Sequence, residues 1–154
     1  MKVIVCLDKN NGMMFNNRRQ SRDRYVIEDI LKICYNKKLW MSKYSEEMFN
    51  EYLIASDKEE IKHNILVDGE YISKAEDEDY CFIEDLDLRD YNITVSEIII
   101  YRWDKHYPAD MHFDVKFEGY VCKNREEIKG FSHEKIIKEI YVLEWDKQIE
   151  LRVK

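Results

Sequence analysis

The sequence predicts a mixed α/β fold: a mainly parallel central sheet with flanking helices and an antiparallel C-terminal edge. Short β-branched and apolar runs recur along the chain, helical spacing of apolar residues separates them in the first half, and the last third holds strand patterns alone. Strands that alternate with helices pair in parallel, whereas strands joined directly pair antiparallel. The 154 residues, 45% of them hydrophobic and with only four glycines and one proline, fit one domain with its own core.

The first half of the chain alternates strand and helix patterns. Lys2–Leu7 is a β-branched apolar run that ends in turn residues, which predicts a strand. Ser21 precedes apolar residues at helical spacing, so it is a candidate N-cap for a helix that ends near Cys34. The elements expected next are a strand at Leu39–Met41, a short helix at Ser45–Asn50, a strand at Tyr52–Ala55 and a short buried strand at Ile65–Val67.

The second half is dominated by strand patterns. Tyr80–Ile83 and Glu97–Trp103 are rich in β-branched and aromatic residues and predict two buried strands. Met111–Tyr120 alternates polar and apolar residues, which is the period of a half-buried strand. Glu134–Glu144 fits either a helix or a strand, because its apolar residues have helical spacing while its centre is a continuous apolar run. The acidic stretch Glu70–Asp79 is expected on the surface.

Charge and cysteine usage limit the classes of function. The formal net charge of -7 disfavours broad nonspecific binding to nucleic acid, because a phosphate backbone needs a field of lysines and arginines. The four cysteines are far apart, with no Cys-x-x-Cys pair and no signal peptide, which predicts reduced thiols in a cytoplasmic protein. The apolar runs are far shorter than the roughly 18 residues of a membrane span. We therefore expect a soluble cytoplasmic protein, and we leave its oligomeric state open.

An arginine-rich segment is the main candidate for function. Four arginines fall within seven residues around the start of the first predicted helix: Arg18, Arg19, Arg22 and Arg24. Guanidinium groups bind phosphate or carboxylate bidentately, and a helix N-terminus adds a favourable dipole. The segment therefore predicts a site for an anionic small molecule, a nucleotide or a nucleic-acid end. The alternative is a solvated face whose arginines pair with nearby acids such as Asp23 and Glu28.

The remaining polar residues predict neither a metal site nor a nucleophile. The histidines lack the spacing of metal ligands, and the acidic runs Glu76–Asp79 and Glu84–Asp90 do not match a calcium loop. No Ser-His-Asp or Cys-His arrangement is readable from spacing, since such partners meet only in space. The aromatic residues Trp103 and Tyr107 and the run Met13–Phe15 are expected to pack in the core or in a lid, with a pocket lining as the alternative.

The order and spacing of these elements resemble the dihydrofolate reductase family over most of the chain. The first strand and Asp8–Gly12 are similar to the opening strand and mobile active-site loop of that family, and residues 22–34 are similar to its substrate-facing helix. The block Lys38–Phe49 resembles its strand, phosphate-contacting turn and short helix. Ala109–Phe113 resembles an Asp-Thr-His-Phe-like segment, and Ser132-His133 precedes a run similar to its last strand. The resemblance implies the fold of that family, with NADPH as the corresponding cofactor.

Several residues depart from the pattern of that family. Its substrate helix carries one carboxylate, whose matching position here is Val26 or a neighbour, which leaves Asp23 and Glu28 as the catalytic candidates. After its strand corresponding to Tyr80–Ile83, the family places glycines that let the backbone approach a pyrophosphate. This chain has Glu84–Arg89 there, with three carboxylates that repel phosphate. NADPH is therefore disfavoured, and no cofactor is expected.

The sequence as a whole predicts a repurposed or non-catalytic domain of this fold. An anionic ligand or partner would bind through the segment Arg18–Arg24. The turn Ser42–Ser45 keeps a base and hydroxyls, so Lys43 and Ser45 are expected to keep one phosphate contact. Two alternatives stay open: a divergent NADPH-dependent reductase of a pterin-like substrate, and a protein-protein interaction module.

Overall fold

A computed structural model describes residues 1–114 and 116–144. In chain order its strands are β1 (Lys2–Leu7), β2 (Gly12–Phe15), β3 (Arg18–Arg19), β4 (Leu39–Met41), β5 (Ile65–Val67), β6 (Tyr80–Phe82), β7 (Glu97–Trp103), β8 (Met111–His112), β9 (Tyr120–Ile128) and β10 (Ile136–Leu143). Its helices are α1 (Arg24–Ile33), α2 (Lys43–Ala55) and α3 (Tyr71–Lys74), with 3-10 helices at Glu59–Asn64 and Leu88–Asp90. Within the described ranges, no helix is long and apolar enough to cross a membrane.

The central sheet has seven strands in the order β5-β4-β6-β1-β7-β10-β9. The pairs from β5 to β7 are parallel, whereas β10 runs antiparallel to both β7 and β9. A smaller sheet, β3-β2-β8, is antiparallel and carries the first two arginines of the arginine-rich segment on β3. The predicted fold class is confirmed: the chain is mixed α/β, mainly parallel in its centre and antiparallel at its C-terminal edge.

The core lies on both faces of the central sheet. Along β1, Ile4 packs in the cluster that contains the buried faces of α1 and α2, whereas Val3 and Val5 pack in the cluster that contains Tyr71 of α3. This division follows from the strand period, because successive side chains point to opposite faces of a sheet. A strand that is covered on both faces is apolar at nearly every position, which explains why β1 was readable from the sequence.

The start of α1 differs from the prediction. Asp23, not Ser21, is the N-cap: its backbone is extended, and its Oδ1 accepts a hydrogen bond of 2.8 Å from the Tyr25 amide. The hydroxyl of Ser21 lies 2.8 Å from Nε2 of His133, so it is engaged elsewhere. The predicted end is confirmed, since Cys34 is the C-cap.

Helix α2 replaces two predicted elements. The short helix at Ser45–Asn50 extends to Ala55, and the strand predicted at Tyr52–Ala55 was wrong. Four buried residues at helical spacing face the core from one side of α2: Met48, Phe49, Tyr52 and Leu53. A short apolar run is compatible with a strand or with the last turn of a helix. Here the run continues the buried face of the preceding turns, so it is helical.

The segment after β7 also differs from the prediction. The strand expected at Met111–Tyr120 is reduced to Met111–His112, which pairs with β2, and Val115 lies outside the described residues. Strand β9 follows instead; most of its residues are polar and exposed, so it has no apolar period. The ambiguous stretch Glu134–Glu144 forms β10, because β7 and β9 pair with its two edges.

The acidic stretch Glu70–Asp79 is only partly on the surface, since α3 within it buries Tyr71 and Ile72.

Candidate functional site

The four arginines of the predicted site separate into different environments. The guanidinium of Arg19 is bound to Glu84, that of Arg22 to Glu51, and that of Arg24 to Glu28 one helical turn away. The Arg19 side chain is 19% exposed, whereas those of Arg22 and Arg24 are 54% and 48% exposed. Arg18 is exposed on β3. The structure thus brings Arg22 and Arg24 together beside α1 and directs Arg19 toward the interior.

Arg19 and Glu84 form a bidentate ion pair. Arg19 Nε and Nη2 donate to the two carboxylate oxygens of Glu84, each at 2.9 Å, and the Ser45 hydroxyl donates to Glu84 Oε1 at 2.8 Å. The guanidinium also stacks 4.4 Å from the centre of the Tyr44 ring. Burial lowers the pKa of Arg19, but its hydrogen bonds to Glu84 and the charge of that carboxylate outweigh this and leave the pKa raised. Arg19 therefore stays charged and holds Glu84 in place.

The residues at this end of β6 do not fit a bound pyrophosphate. Glu84 is only 8% exposed, and its carboxylate takes the donors that an incoming phosphate would need. Asp85 adds a second carboxyl, whose pKa is raised by burial and by the charge of Glu84. Of the predicted ligand residues, Arg19 and Ser45 bind Glu84, while Lys43 is exposed at the start of α2. A ligand role for these three residues stays a prediction.

A groove of about 290 Å³ lies between α1 and α2. Its lining residues are Arg22, Arg24, Ile27, Met48, Glu51, Tyr52 and Ala55. Ile27, Met48 and Tyr52 are buried members of the core, so the groove has apolar walls, and the two arginines and Glu51 supply its charged groups. Arg22 Nη1 lies 2.8 Å from Glu51 Oε2, and the Arg24 guanidinium lies 5.7 Å from the centre of the Tyr52 ring.

Two further grooves border this region. One of about 500 Å³ lies against β2 and β3, and its lining residues are Phe15, Asn16, Arg18, Arg19, Gln20, Tyr107 and Pro108. The other, of about 260 Å³, lies between α1 and the loop 129–135 that joins β9 to β10, and it contains Glu28. Phe15 and Tyr107 thus line a groove, whereas Met13, Met14 and Trp103 are buried in the core.

Asp23, the first catalytic candidate, is buried and fully engaged. Its Oδ1 accepts from the amides of Tyr25 and Phe131 at 2.8 and 2.9 Å, and its Oδ2 accepts from the amides of Ser132 and His133 at 2.9 and 3.1 Å. Burial raises the pKa of this carboxyl, but these hydrogen bonds and that from the His133 ring outweigh it and lower the pKa to about 2. Asp23 therefore stays ionised and fastens the loop 129–135 to the start of α1.

A glycine allows the loop to approach this carboxylate. A Cβ at Gly130 would lie 2.5 Å from Asp23 Oδ2 and 2.7 Å from a methyl carbon of Ile136. Both distances are too short for any side chain, so the close packing of the loop on Asp23 requires glycine here. Glu28, the second catalytic candidate, is partly exposed and pairs with Arg24 at 3.6 Å. Neither acid lines the groove between α1 and α2, and Val26 is buried in the core.

His133 connects Asp23 to Ser21. Its Nδ1 lies 2.9 Å from Asp23 Oδ2, its Nε2 lies 2.8 Å from Ser21 Oγ, and its ring stacks on Trp103 with centroids 4.6 Å apart. The histidine side chain is 10% exposed and the aspartate is fully buried. Sequence spacing could not reveal this line of three side chains, because 112 residues separate Ser21 from His133.

Neither a metal site nor a reactive buried thiol is supported by the residues that the structure describes. Among residues 1–114 and 116–144, no group of three or more His, Cys, Asp or Glu residues is placed to hold a metal ion. The four cysteines are free, and burial raises the pKa of the Cys34 and Cys81 thiols to about 12, which makes them unreactive at neutral pH.

Comparison with known proteins identifies the fold. No family model matches the chain, and no curated protein matches its sequence. The structure is similar to the dihydrofolate reductase from Enterococcus faecalis complexed with NADP(H) and RAB-propyl. The two share 7% sequence identity over 92% of this chain and 94% of that chain, with a TM-score of 0.58. The chain therefore has a dihydrofolate reductase-like fold, which confirms the resemblance at the level of fold; a shared fold does not by itself carry a shared activity.

Proposed function

We propose that this chain is a binding domain of the dihydrofolate reductase-like fold that holds an anionic small molecule in the groove between α1 and α2. The observation that carries the proposal is the pair of exposed guanidinium groups, Arg22 and Arg24, beside apolar walls. Guanidinium groups favour carboxylate and phosphate, and the apolar walls favour a ligand whose charge is attached to an apolar body.

The ion pairs now made by these arginines are no obstacle to a ligand. Arg22 pairs with Glu51 and Arg24 with Glu28, all four side chains being at least 36% exposed. Exposed pairs contribute only about 0–1 kcal/mol, so a ligand anion can replace the protein carboxylates with little loss. The volume of about 290 Å³ is at the small end of the range for ligand sites, which favours a small aromatic acid or a mononucleotide over a dinucleotide.

The same reasoning argues against an NADPH-dependent reductase as the main function. The Arg19–Glu84 pair fills the end of β6 with a carboxylate, and Val26 offers no carboxylate to a pterin. One observation keeps the reductase as the second candidate: the similar solved structure is a dihydrofolate reductase in complex with NADP(H).

We also propose that residues 1–154 act as one domain in the cytoplasm, as the composition predicts.

A thermal-shift titration tests both candidates. Ligand that binds only the folded state stabilises it by about 2.7 kcal/mol at a hundred times its Kd, a shift of about 5–10 °C for a chain of this size. The probes are phenyl phosphate, benzoate, AMP, folate, NADP and NADPH. We expect a shift with at least one of the first three and none with NADPH.

Variants locate the site. The double variant Arg22→Ala and Arg24→Ala should abolish the shift, whereas Arg18→Ala should leave it unchanged, because Arg18 is an exposed arginine of the neighbouring groove. A shift that survives the double variant would place the anion elsewhere and overturn the proposal. A shift with NADPH that persists in the double variant would favour the reductase candidate instead.

A further inference from the structure

Three side chains outside the α1–α2 groove form a line through one imidazole ring. Asp23 Oδ2 lies 2.9 Å from Nδ1 of His133, and Ser21 Oγ lies 2.8 Å from Nε2 of the same ring. Ser21 and Asp23 flank Arg22 before α1, while His133 comes from the loop between β9 and β10. We propose that Ser21, His133 and Asp23 form a nucleophilic site for acyl transfer from carboxylic esters.

The surroundings fix the roles of the two ring nitrogens. Asp23 is an ionised acceptor with no proton to give, so Nδ1 carries the hydrogen and donates it to the carboxylate. In the neutral form of the ring, the lone pair is then on Nε2, which faces the Ser21 hydroxyl. Trp103 stacks on the ring at 4.6 Å and prevents it from turning. Asp23 and Trp103 are positioning residues, and Ser21 and His133 are the groups that meet the substrate.

The proposed reaction is hydrolysis of an ester through an acyl group on Ser21, and water is its only co-reactant. Ser21 Oγ attacks the carbonyl carbon of the ester and forms a C–O bond, while its proton passes to Nε2 of His133. The bond from the carbonyl carbon to the alcohol oxygen breaks, and the alcohol leaves with that proton. Water then attacks the acyl group on Ser21, with Nε2 again accepting a proton, and the carboxylic acid leaves as the serine regains its hydrogen.

The position of Ser21 indicates the class of ester. Ser21 is half-exposed, and its two neighbours line different grooves: Gln20 the one against β2 and β3, and Arg22 the one between α1 and α2. An ester with an acidic group can place that group on Arg22 while its carbonyl is beside Ser21. This preference for acidic esters rests on the proposed anion site, whereas the nucleophilic role of Ser21 does not.

Labelling with a fluorophosphonate tests the nucleophile. This probe phosphonylates an activated serine with loss of fluoride, and it needs no anion site. We expect one adduct, located by mass spectrometry on Ser21, absent in Ser21→Ala and present in Ser96→Ala. Ser96 is a matched control, because it is a half-exposed serine whose hydroxyl donates to the carbonyl of Met1 instead of a histidine.

The histidine and the aspartate are tested through rate and pH. His133→Gln should slow labelling about 10²–10⁴-fold, the usual contribution of a general base. Asp23→Asn should change the pH profile of labelling, which a purely structural role would leave unchanged. An unlabelled Ser21 in the wild-type protein, or equal labelling in a folded His133→Gln variant, would mean that the line of side chains only fastens the loop. Labelling of the wild-type protein alone decides whether Ser21 is an activated nucleophile, so the test does not depend on the folding of any variant.

A second measurement separates the two proposals. Hydrolysis of 4-nitrophenyl benzoate is compared with that of mono-4-nitrophenyl terephthalate, whose free carboxylate cannot reach its own ester. If the terephthalate ester is preferred and Arg22→Ala removes the preference, both proposals are supported. Labelling of Ser21 without such a preference would overturn only the acidic-ester specificity. Anion binding in the α1–α2 groove without labelling would overturn only the nucleophile.

Discussion

Two buried carboxylates, those of Glu84 and Asp23, are stabilised in opposite ways. Glu84 is neutralised by a full positive charge, the guanidinium of Arg19, together with one hydroxyl. Among the residues that the structure describes, Asp23 pairs with no arginine or lysine; its partners are backbone amides, one hydroxyl and the ring of His133. Burial raises the pKa of the Cys6 thiol, and the charges of both carboxylates raise it further.

The difference determines which end of this region can react. At Glu84 the charges cancel, and Nε and Nη2 of Arg19 and the Ser45 hydroxyl already donate to protein acceptors. At Asp23 the amides stabilise the negative charge without cancelling it, so the charge still acts on His133 and through that ring on Ser21. One end is an ion pair that buries a carboxylate at the end of β6, and the other is a histidine ring beside a hydroxyl.

Removing the cation from the ion pair should have the largest effect on stability. Arg19→Ala leaves Glu84 buried and unpaired, and breaking a buried pair on one side destabilises a protein by about 3–5 kcal/mol. Urea denaturation followed by circular dichroism measures the change. The matched double variant, Arg19→Met with Glu84→Leu, should recover most of the loss, because apolar replacement of both partners is often close to neutral. Equal stability of wild type and Arg19→Ala would show that the pair is solvated.

These two carboxylates also show what sequence reasoning could and could not predict. Strands β1 and β7 are predictable because their burial leaves an apolar run, and the end of α1 follows from helical spacing, whereas the pattern of β10 fits a helix as well as a strand. Strand β9 was not visible, because its polar residues carry no such pattern. The departure at Glu84 was evident in the sequence, but its pairing with Arg19 across 65 residues was not. Serine and aspartate are both favoured N-cap residues, so no local pattern distinguishes Ser21 from Asp23 as the cap of α1.

The second effect in size concerns Asp23. In Asp23→Asn one carboxylate oxygen becomes an NH₂ group that faces the backbone amides of the loop, so donors meet donors. Hydrogen bonds to a charged group contribute about 1.5–3 kcal/mol, and we expect a loss of about 2–3 kcal/mol at neutral pH. Urea denaturation at pH 7 measures it. Arg19→Ala leaves a charge unpaired, whereas Asp23→Asn does not, so we expect Arg19→Ala to lose more stability. A larger loss in Asp23→Asn would contradict the comparison of the two carboxylates.

The same carboxylate predicts a dependence of stability on pH. Folding lowers the pKa of Asp23 from 3.8 to about 2, so the folded state binds fewer protons than the unfolded state as the pH falls. The stabilisation is therefore complete above about pH 4 and is lost as the pH falls toward 2. Stability curves of wild type and Asp23→Asn from pH 7 to pH 2 should converge at the acid end. A constant difference across that range would mean that the Asp23 charge contributes nothing to stability.

The smallest effect on stability is expected at the exposed ion pair of Arg22 and Glu51, which extends the comparison to the surface. Both side chains are more than half exposed, so solvent screens their 2.8 Å contact, and Arg22→Ala should change the free energy of unfolding by less than about 1 kcal/mol. Its effect on anion binding should be large, because the same guanidinium supplies half of the positive charge in the groove. Urea denaturation and the phenyl phosphate titration on one sample measure both quantities. If Arg22→Ala loses as much stability as Arg19→Ala, then Arg22 supports the fold. An arginine that binds a ligand must be able to exchange its protein carboxylate for the ligand anion, and such an exchange requires a weak ion pair within the protein.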